Sequence, residues 1–529
     1  MTDYSRRDFL RQTTATLAVA ALATGAMQTR EAAGAGPEVK AFIDIEGGEL
    51  VLGGRPLSWW VETFGLPLHV SYAPDIRANL KAFKEVFARH YPKGEVRFAG
   101  KASTHPRIFA LAAEAGVGID VASPYEARCA LEAGVAPALL DLNGNAKDDD
   151  LLGLAISKDM LIIVDSISEL ERIAALAQNQ QRTPRVMLRV TGFSLEGVTS
   201  PAIFTAGEWS KFGIALGEIP ALLARLDQMP VKVLGFHTHI GSQINDLAAY
   251  RTVLGSLLEL GSALQAAGNR FEAVNIGGGF PVSYVTQEEW TQILDRIRDG
   301  FIAAKAGDTS KVYLWGNAPG DFVMGPDGVP TKEWKGELFT AQYPKEKMLE
   351  AILTNDVTVN GKTMKATAAL DGLGSPILLV EPDRSIVSDS GITLARVAFD
   401  KKIAGAHDLI SRDLGVVNYC EAIVALPARH WALATEPERR DTGPFEAFVS
   451  GNLSFSADML SRLKIAFPRK PARGDIVLIS STGAYKPTFF ASNANSFPRP
   501  ARLLLEANGD WSYLKRTDTY QDIFSLEGT

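Results

Sequence analysis

The chain has 529 residues, of which 46% are hydrophobic and 22% charged, and its formal net charge is −7. This composition is that of a globular protein and excludes disordered, collagen-like and coiled-coil chains. No segment is rich enough in Lys and Arg to neutralise a phosphate backbone, so nucleic acid is not an expected partner. The two cysteines, Cys129 and Cys420, are too few for a thiolate metal cluster, and the sequence leaves open whether they form one disulfide.

Residues 1–36 differ in composition from the rest of the chain. Arg6 and Arg7 precede Asp8-Phe9-Leu10 and a weakly apolar run from Thr14 to Met27. At about 14 residues this run is shorter than the roughly 20 of a membrane-spanning helix, so it predicts a cleaved signal and linker and not a permanent membrane anchor. The arginine pair resembles a bacterial twin-arginine signal, which implies the twin-arginine translocation machinery as a partner and a periplasmic location.

Residues 67–390 alternate between short apolar runs and helical patterns. Eight runs have the length and composition of strands, at 96–100, 118–123, 139–144, 161–165, 185–190, 233–241, 273–279 and 377–382. Eight such units predict an α/β fold, a closed parallel (β/α)8 TIM barrel.

The connection from Gly279 to Ile377 is about 100 residues long, far longer than a helix and a loop require. Residues 315–374 are therefore predicted to form an ordered insertion, with a hairpin at 357–362. After residue 390 the pattern becomes β-rich. We assign residues 37–66 and 391–529 to a second domain, an all-β domain that is mainly C-terminal.

Functional side chains of a parallel barrel gather at the carboxyl ends of its strands. These positions hold Lys101, Asp120, Asp165, Arg189, His237, His239, Gly277–Gly279, Glu381 and Arg384. A lysine at an apolar strand end can act as an amine nucleophile, and a glycine run with an arginine can bind phosphate. The two histidines could form a metal pair, but no other histidine falls on a predicted barrel strand, so no metal is expected. An amine, a phosphate site, an acid and an imidazole together fit pyridoxal phosphate.

An ordered series of motifs from about residue 66 to 515 resembles the ornithine, diaminopimelate and arginine decarboxylase family, which has the fold type of alanine racemase. The motifs are Phe98–Ser103, Asp120–Ser123, Gly144–Lys147, Ser210–Gly213, His239–Gln243, Gly277–Pro281, Glu381–Arg384, Gly483–Tyr485 and Ala494–Pro500. The resemblance implies pyridoxal 5′-phosphate as cofactor. It also implies an obligate homodimer, in which each active site combines one barrel with the β domain of the partner subunit.

The resemblance also implies residue roles. Lys101 would form a Schiff base with the cofactor and later carry a proton, while His239 would stack on its ring and Arg189 would lie beside it. Glu381 would pair with the pyridinium nitrogen; because racemases of this fold carry an arginine there, Glu381 favours decarboxylation. The phosphate would be held by Ser242, Gly277, Gly278, Gly279, Arg384 and Tyr485.

The sequence departs from the family where a catalytic cysteine and an acid are usual. Ser454 and Phe455 occupy these positions, Asn418 replaces an acidic residue, and Asp458 remains. Serine is a weaker acid than a thiol, and the lost carboxylates would have paired with a distal ammonium group. We therefore predict Ser454 as a third catalytic residue with Lys101 and His239, and Phe455, Asp458 and Asn418 as contacts to the substrate.

The predicted function is that of a pyridoxal-phosphate-dependent decarboxylase, a carbon–carbon lyase that acts on an amino acid outside the cytoplasm. Two alternatives stay open at this point. One is an amino-acid racemase on the same scaffold. The other is a cofactor-bearing protein with little catalysis, which the replacement of the cysteine and the acid by Ser454 and Phe455 would explain.

Overall fold

The computed structural model describes residues 42–195, 204–318, 322–334, 340–419, 429–485 and 492–525. The predicted export signal and Cys420 lie outside these residues, and Cys129 is a free cysteine. In the described parts of the chain, none of the helices combines the length and apolarity required to span a bilayer.

The chain divides into two compact units. The barrel unit comprises Ile76–Val282 and Ala341–Ile386. The β unit comprises the described residues up to Asp75, together with Ser283–Thr340 and those from Val387 onwards.

Eight parallel strands form the sheet of the barrel unit. They are β1 (Gly94–Ala99), β2 (Gly118–Val121), β3 (Leu140–Leu142), β4 (Leu161–Val164), β5 (Arg185–Thr191), β6 (Lys232–His237), β7 (Ala273–Asn275) and β8 (Ile377–Val380). Each strand pairs with the next, and β8 pairs with β1, so the sheet closes. The predicted barrel is confirmed. A two-residue strand, Ile214–Ala215, also pairs with β5.

Helices surround these strands, and their first turns show why they begin where they do. Ser123, Asp148 and Ser166 each accept an N–H from the first turn of the following helix, and Pro106 and Pro124 each occupy the first position of a helix. The helices are Ala73–His90, Pro106–Glu114, Pro124–Glu132, Asp149–Lys158, Ile167–Gln180, Ile219–Leu223, Leu247–Ala266, Glu346–Thr354, Ala366–Gly372 and Arg384–Val387.

The predicted hairpin at 357–362 is present in the barrel unit. Strands Asp356–Val359 and Lys362–Lys365 pair in antiparallel fashion. Asn360 and Gly361 between them have positive φ angles of 49° and 74°, as a two-residue turn of this kind requires.

The barrel interior has an apolar layer beneath a polar one. The apolar layer is a buried cluster of Leu161, Ile163, Met187, Leu234, Ala273 and Leu379. Residues two apart on a strand share a face, so the next inward positions along the strands lie above this floor. Three such pairs are Met187 and Arg189, Ala273 and Asn275, and Leu379 and Glu381. The polar layer therefore stands at the carboxyl ends of the strands, where barrel active sites form.

The β unit is built on a nine-stranded sheet, which confirms a separate β-rich part of the chain. Its main path runs through Met459–Phe467, Phe445–Ser450, His407–Arg412, Gly391–Ile403, Leu68–Tyr72, Ala501–Leu505 and Trp511–Lys515. Ile476–Ile479 pairs with both Gly391–Ile403 and Trp431–Leu433. Leu68–Tyr72 thus joins a strand from after residue 390 to one from near the carboxyl end of the chain.

The remaining elements of the β unit are smaller. Its strands Ile43–Glu46, Glu49–Leu52 and Arg55–Pro56 form an antiparallel sheet, and Phe322–Met324 pairs with Pro330–Trp334. Its helices are Leu57–Phe64, Gln287–Lys305 and Tyr520–Phe524. Helix Gln287–Lys305 buries Trp290 and Ile297 in a cluster that includes Leu463 of the large sheet. This packing explains why Ser283–Thr340 belongs to the β unit, whereas the chain from Ala341 returns to the barrel unit.

Candidate active site

Lys101 lies directly after β1, in the short 3-10 turn Gly100–Ala102, and is half-buried. Its positive charge acts on three buried groups, the side chains of Asp120, His239 and Glu381. The predicted nucleophile, imidazole and acid are therefore brought together at one end of the barrel.

Asp120 stands near the end of β2 and is 6% exposed. Burial raises the pKa of Asp120 well above its usual range, and Glu381 raises it further, while Lys101 acts in the opposite direction. Its Oδ1 has no hydrogen-bond partner among the described residues. Asp120 can therefore hold a proton in the neighbourhood of Lys101.

Glu381 follows β8 and is 3% exposed. Its Oε1 accepts hydrogen bonds from His237 Nε2 at 3.1 Å and from Asn275 Nδ2 at 2.8 Å. Burial raises the pKa of this carboxyl, but the interactions with His237, His239 and Lys101 outweigh burial and bring the pKa to about 2. No hydrogen bond within the described residues reaches Oε2. The site thus contains an ionised carboxylate with one oxygen available to a ligand.

The glycine run is folded tightly against its neighbours. A Cβ at Gly278 would lie 2.0 Å from the carbonyl oxygen of Glu381, and one at Gly279 would lie 2.2 Å from that of Gly241. The N–H of Gly277 donates to Asn275 Oδ1 at 2.8 Å, and that of Gly278 donates to His239 Nδ1 at 3.0 Å. Of the three amides predicted to bind phosphate, only that of Gly279 has no acceptor within the described ranges.

His239 is neutral, and its hydrogen bond with Gly278 determines which ring nitrogen carries the proton. Burial lowers the pKa of His239 well below its usual range, and Lys101 lowers it further, so the imidazole is neutral at neutral pH. Because Nδ1 accepts a hydrogen bond, the ring proton lies on Nε2.

Ser242 and Arg384, both predicted to bind phosphate, are in direct contact. Arg384 Nη2 donates to Ser242 Oγ at 3.2 Å. The loop after β6 is joined to the loop after β7, because the N–H of Ile244 donates to the carbonyl oxygen of Gly279 at 3.0 Å. Loops from three neighbouring strands therefore converge where an anion could bind.

Arg189, two residues before the end of β5, makes three contacts that hold its side chain. It forms an ion pair with Asp165 at 3.5 Å, and its Nη1 donates to Asn143 Oδ1 at 3.3 Å. Its guanidinium lies 4.3 Å from the centre of the Phe212 ring. These contacts fix the guanidinium within the polar layer.

Asn418, Asp458 and Tyr485 lie in the β unit and are buried. Asn418 Nδ2 donates to the carbonyl oxygen of Ser492 at 3.0 Å. The Asp458 carboxylate accepts the N–H groups of Val416 at 2.6 Å and Leu453 at 2.7 Å, so it holds two loop segments together. The substrate contacts of Asn418 and Asp458, and the phosphate contact of Tyr485, stay predictions.

Ser454 and Phe455 are exposed on the same loop of the β unit. The N–H of Ser454 donates to Asn495 Oδ1 at 3.0 Å, and Phe455 is 52% exposed. Both side chains are thus accessible on the β unit, and their roles at an active site also stay predictions.

The sequence interpretation did not identify Asn143 and Asn275, and it considered His237 only as one of a metal pair. β6 ends at His237, and the two histidines bind different partners, Glu381 and Gly278. Within the described residues, no group of three or more His, Cys, Asp or Glu side chains could hold a metal ion. The available signal was position alone: each asparagine stands at or just after the end of a barrel strand.

A lysine, an ionised carboxylate and converging anion-binding loops at the mouth of a barrel suit pyridoxal phosphate. Residues 74–315 match the family described as "Pyridoxal-dependent decarboxylase, pyridoxal binding domain". The protein is a pyridoxal-phosphate-dependent amino-acid decarboxylase, a carbon–carbon lyase. The predicted enzyme class and cofactor are confirmed.

Similar proteins span nearly the whole chain. Diaminopimelate decarboxylase of Bacillus subtilis is 27% identical over 91% of this chain and 95% of its own length. That of Methanothermobacter thermautotrophicus is 28% identical over 91% and 97%. The crystal structure of the M. jannaschii diaminopimelate decarboxylase with L-lysine has a TM-score of 0.71 and 23% identity, and the match covers 92% of this chain and 98% of that one.

Proposed function

We propose that this enzyme decarboxylates an α-amino acid, with Lys101 as the residue that carries pyridoxal phosphate and Glu381 as the carboxylate facing its ring nitrogen. The observation that carries the proposal is the ionised Glu381, whose Oε2 is left available above the apolar floor. When bound, the cofactor supplies the electron sink for the carbon–carbon bond that breaks.

The residues around the cofactor would have different roles. Glu381 would keep the ring nitrogen protonated, and the neutral His239 would present the face of its imidazole, whose orientation is set by the hydrogen bond from Gly278. Asp120 can hold a proton at the barrel mouth near Lys101, so a proton can reach the product carbon although Ser454 is a poor acid. The Gly279 amide would bind the phosphate.

The phosphate has further partners in this proposal. Ser242 and Arg384, already in contact with each other, would bind it, and Tyr485 is a third proposed partner. Gly277 and Gly278 serve by letting the loop approach closely, since their amides bind Asn275 and His239.

Borohydride reduction of the holoenzyme, followed by peptide mass analysis, tests the assignment of Lys101. We expect the pyridoxyl group on the peptide that contains Lys101 and no adduct in the Lys101→Arg variant. An adduct on any other lysine would overturn the site.

The substrate is a separate proposal. Diaminopimelate is the first candidate, because the relatives named above act on it. Phe455 and Asn418 favour a second candidate, an amino acid without a distal ammonium group, because they replace the acidic partners that such a group needs. Release of CO₂ from diaminopimelate, lysine, ornithine, arginine and uncharged amino acids separates the two. Loss of optical rotation without CO₂ would point to a racemase.

We also propose a homodimer, in which the exposed Ser454 and Phe455 face the active site of the partner subunit. An aspartate at position 455 would place a charge in this contact. We expect Phe455→Asp to shift the sedimentation equilibrium towards monomer, whereas Tyr125→Asp, at an aromatic residue of the barrel unit that is 81% exposed, should leave it unchanged. Equal sedimentation of both variants would show that Phe455 does not lie in the interface.

Export is proposed from residues 1–36 alone. The arginine pair followed by a short apolar run supports the twin-arginine route. Cell fractionation of the full chain should recover it from the periplasm, and the double variant Arg6→Lys, Arg7→Lys should remain inside. Unchanged fractionation of the double variant would exclude this route.

A further inference from the structure

His237 and Asn275 converge on one atom. His237 Nε2 and Asn275 Nδ2 both donate to Glu381 Oε1, at 3.1 and 2.8 Å, and both side chains are 0% exposed. Since both bonds fall on Oε1, they fix the plane of the carboxylate and leave Oε2 on its other side. Two bonds to one oxygen thus aim the second oxygen.

Neither donor brings a compensating charge. Burial lowers the pKa of His237, and its Nδ1 has no hydrogen-bond partner among the described residues, so the neutral form with the proton on Nε2 is favoured. The amide of Asn275 is neutral at every pH. These two donors therefore stabilise the carboxylate through their dipoles, in addition to the nearby positive charge of Lys101, which also favours the ionised form.

Asn275 joins the carboxylate to the glycine run. Its Oδ1 accepts the N–H of Gly277 at 2.8 Å while its Nδ2 donates to Glu381. The N–H of Glu381 in turn donates to the carbonyl oxygen of Gly277 at 2.8 Å. The group that would face the ring nitrogen and the loop that would approach the phosphate are thus held in register by one side chain.

We propose that His237 and Asn275 are positioning residues that hold Glu381 ionised, with Oε2 directed at the ring nitrogen of pyridoxal phosphate. This inference rests on the proposed role of Glu381. It assigns both residues an effect on the preference for that nitrogen; His237 acts there alone, while Asn275 also supports the glycine run.

Two ligands distinguish these effects: pyridoxal phosphate, and an analogue in which carbon replaces the ring nitrogen. The dissociation constant of each is measured by equilibrium titration of the cofactor-free protein. His237→Leu, which removes the donor, should reduce the preference for pyridoxal phosphate over the analogue by roughly tenfold, the effect of one buried hydrogen bond. Affinity for the analogue should change by less than about twofold. His237→Gln, which can still donate, should retain most of the preference.

Each other result has a defined meaning. If His237→Leu weakens both ligands equally, His237 supports the fold only and the inference fails. If Glu381→Gln keeps the full preference, the role of Glu381 itself fails, which is a separate outcome. Thermal unfolding of each cofactor-free variant checks folding; should His237→Leu not fold, Asn275→Ala takes its place with the same expected loss, and an unchanged preference there would equally overturn the inference.

Discussion

The polar layer of the barrel and the loop 451–458 of the β unit hold their functional candidates in different ways. In the barrel, Glu381, Arg189 and His237 are nearly fully buried, and each is fixed by side chains from other strands. In the loop, Ser454 and Phe455 are exposed, and the buried Asp458 is occupied with backbone N–H groups. The barrel candidates are therefore preorganised within one chain, whereas the loop presents side chains outward.

The buried, preorganised side chains of the barrel and the exposed side chains of the loop should respond differently to mutation. A buried, hydrogen-bonded group acts on the chemistry itself, so its loss should lower turnover sharply. An exposed group should tune the rate or the choice of substrate. Variants of the two regions can therefore test whether this difference is real.

The largest effect is expected at Lys101. Lys101→Ala removes the amine that carries the cofactor, so the rate of CO₂ release at saturating pyridoxal phosphate should fall roughly 10⁴-fold. Lys158→Ala, at an exposed helix end, is the matched control and should be unchanged. Activity within tenfold of wild type would show that another group does this work.

Glu381→Gln should follow, with a loss of roughly 10²- to 10³-fold in kcat. The amide keeps the size of the side chain but cannot hold a proton on the ring nitrogen. Steady-state kinetics measure the loss, and Glu62→Gln, at an exposed position, controls for the loss of a charge. A change in KM with kcat intact would place Glu381 in binding only.

A smaller effect, and of opposite sign, is expected in the loop. Ser454→Cys supplies a stronger acid, so kcat should rise roughly tenfold. Ser456→Cys, two residues away and also exposed, should have no effect. Equal rates for both variants would mean that residue 454 does not reach the reacting carbon.

The smallest expected effect is on thermal stability, and it concerns Asp518, whose partners flank the residue that supports loop 451–458. Partial burial raises the pKa of Asp518, but hydrogen bonds from Arg499, Lys515 and Asn493 outweigh it and keep the pKa below its usual range. Since the folded-state pKa is lowered, the stabilisation is present above the ordinary carboxyl pKa of about 4 and is lost as the pH falls below it. Asn493 and Arg499 flank Asn495, the acceptor of the Ser454 N–H.

Thermal unfolding at pH 5, 4 and 3 measures this contribution. The melting temperature of wild type should fall by about 1–3 °C more over this range than that of Asp518→Asn. Asp510→Asn, at an exposed turn, should follow wild type. Parallel curves for all three proteins would show that Asp518 does not stabilise the fold.

The barrel could be predicted because its signal is local and repeated eight times. Each strand is a short apolar run, and Lys101, Arg189, His239 and Glu381 stand at or just after the ends of four of them. The place of Leu68–Tyr72 could not be predicted in the same way, since its partners are more than 300 residues away in sequence. Nothing in the five residues Leu68–Tyr72 specifies which sheet they join.

The hydrogen-bond partners within the site could not be predicted from the sequence for a related reason. Asn275 and Glu381 are 106 residues apart, and only closure of the sheet brings them within 2.8 Å. Alternation along the strand does provide a clue: a polar residue two positions after a buried apolar one points to the same interior. Applied to Ala273 and Asn275, this rule would have marked the asparagine as part of the site.

The apolar layer under the site has a consequence for how such an enzyme can change over evolution. It closes the lower side of the polar layer, so the charges above it act in a poorly polarisable surrounding whichever loops lie over the mouth. Side chains in loops can then be exchanged without altering the floor on which Glu381 and Arg189 stand. One floor can thus support the same polar layer while the side chains of the surrounding loops differ.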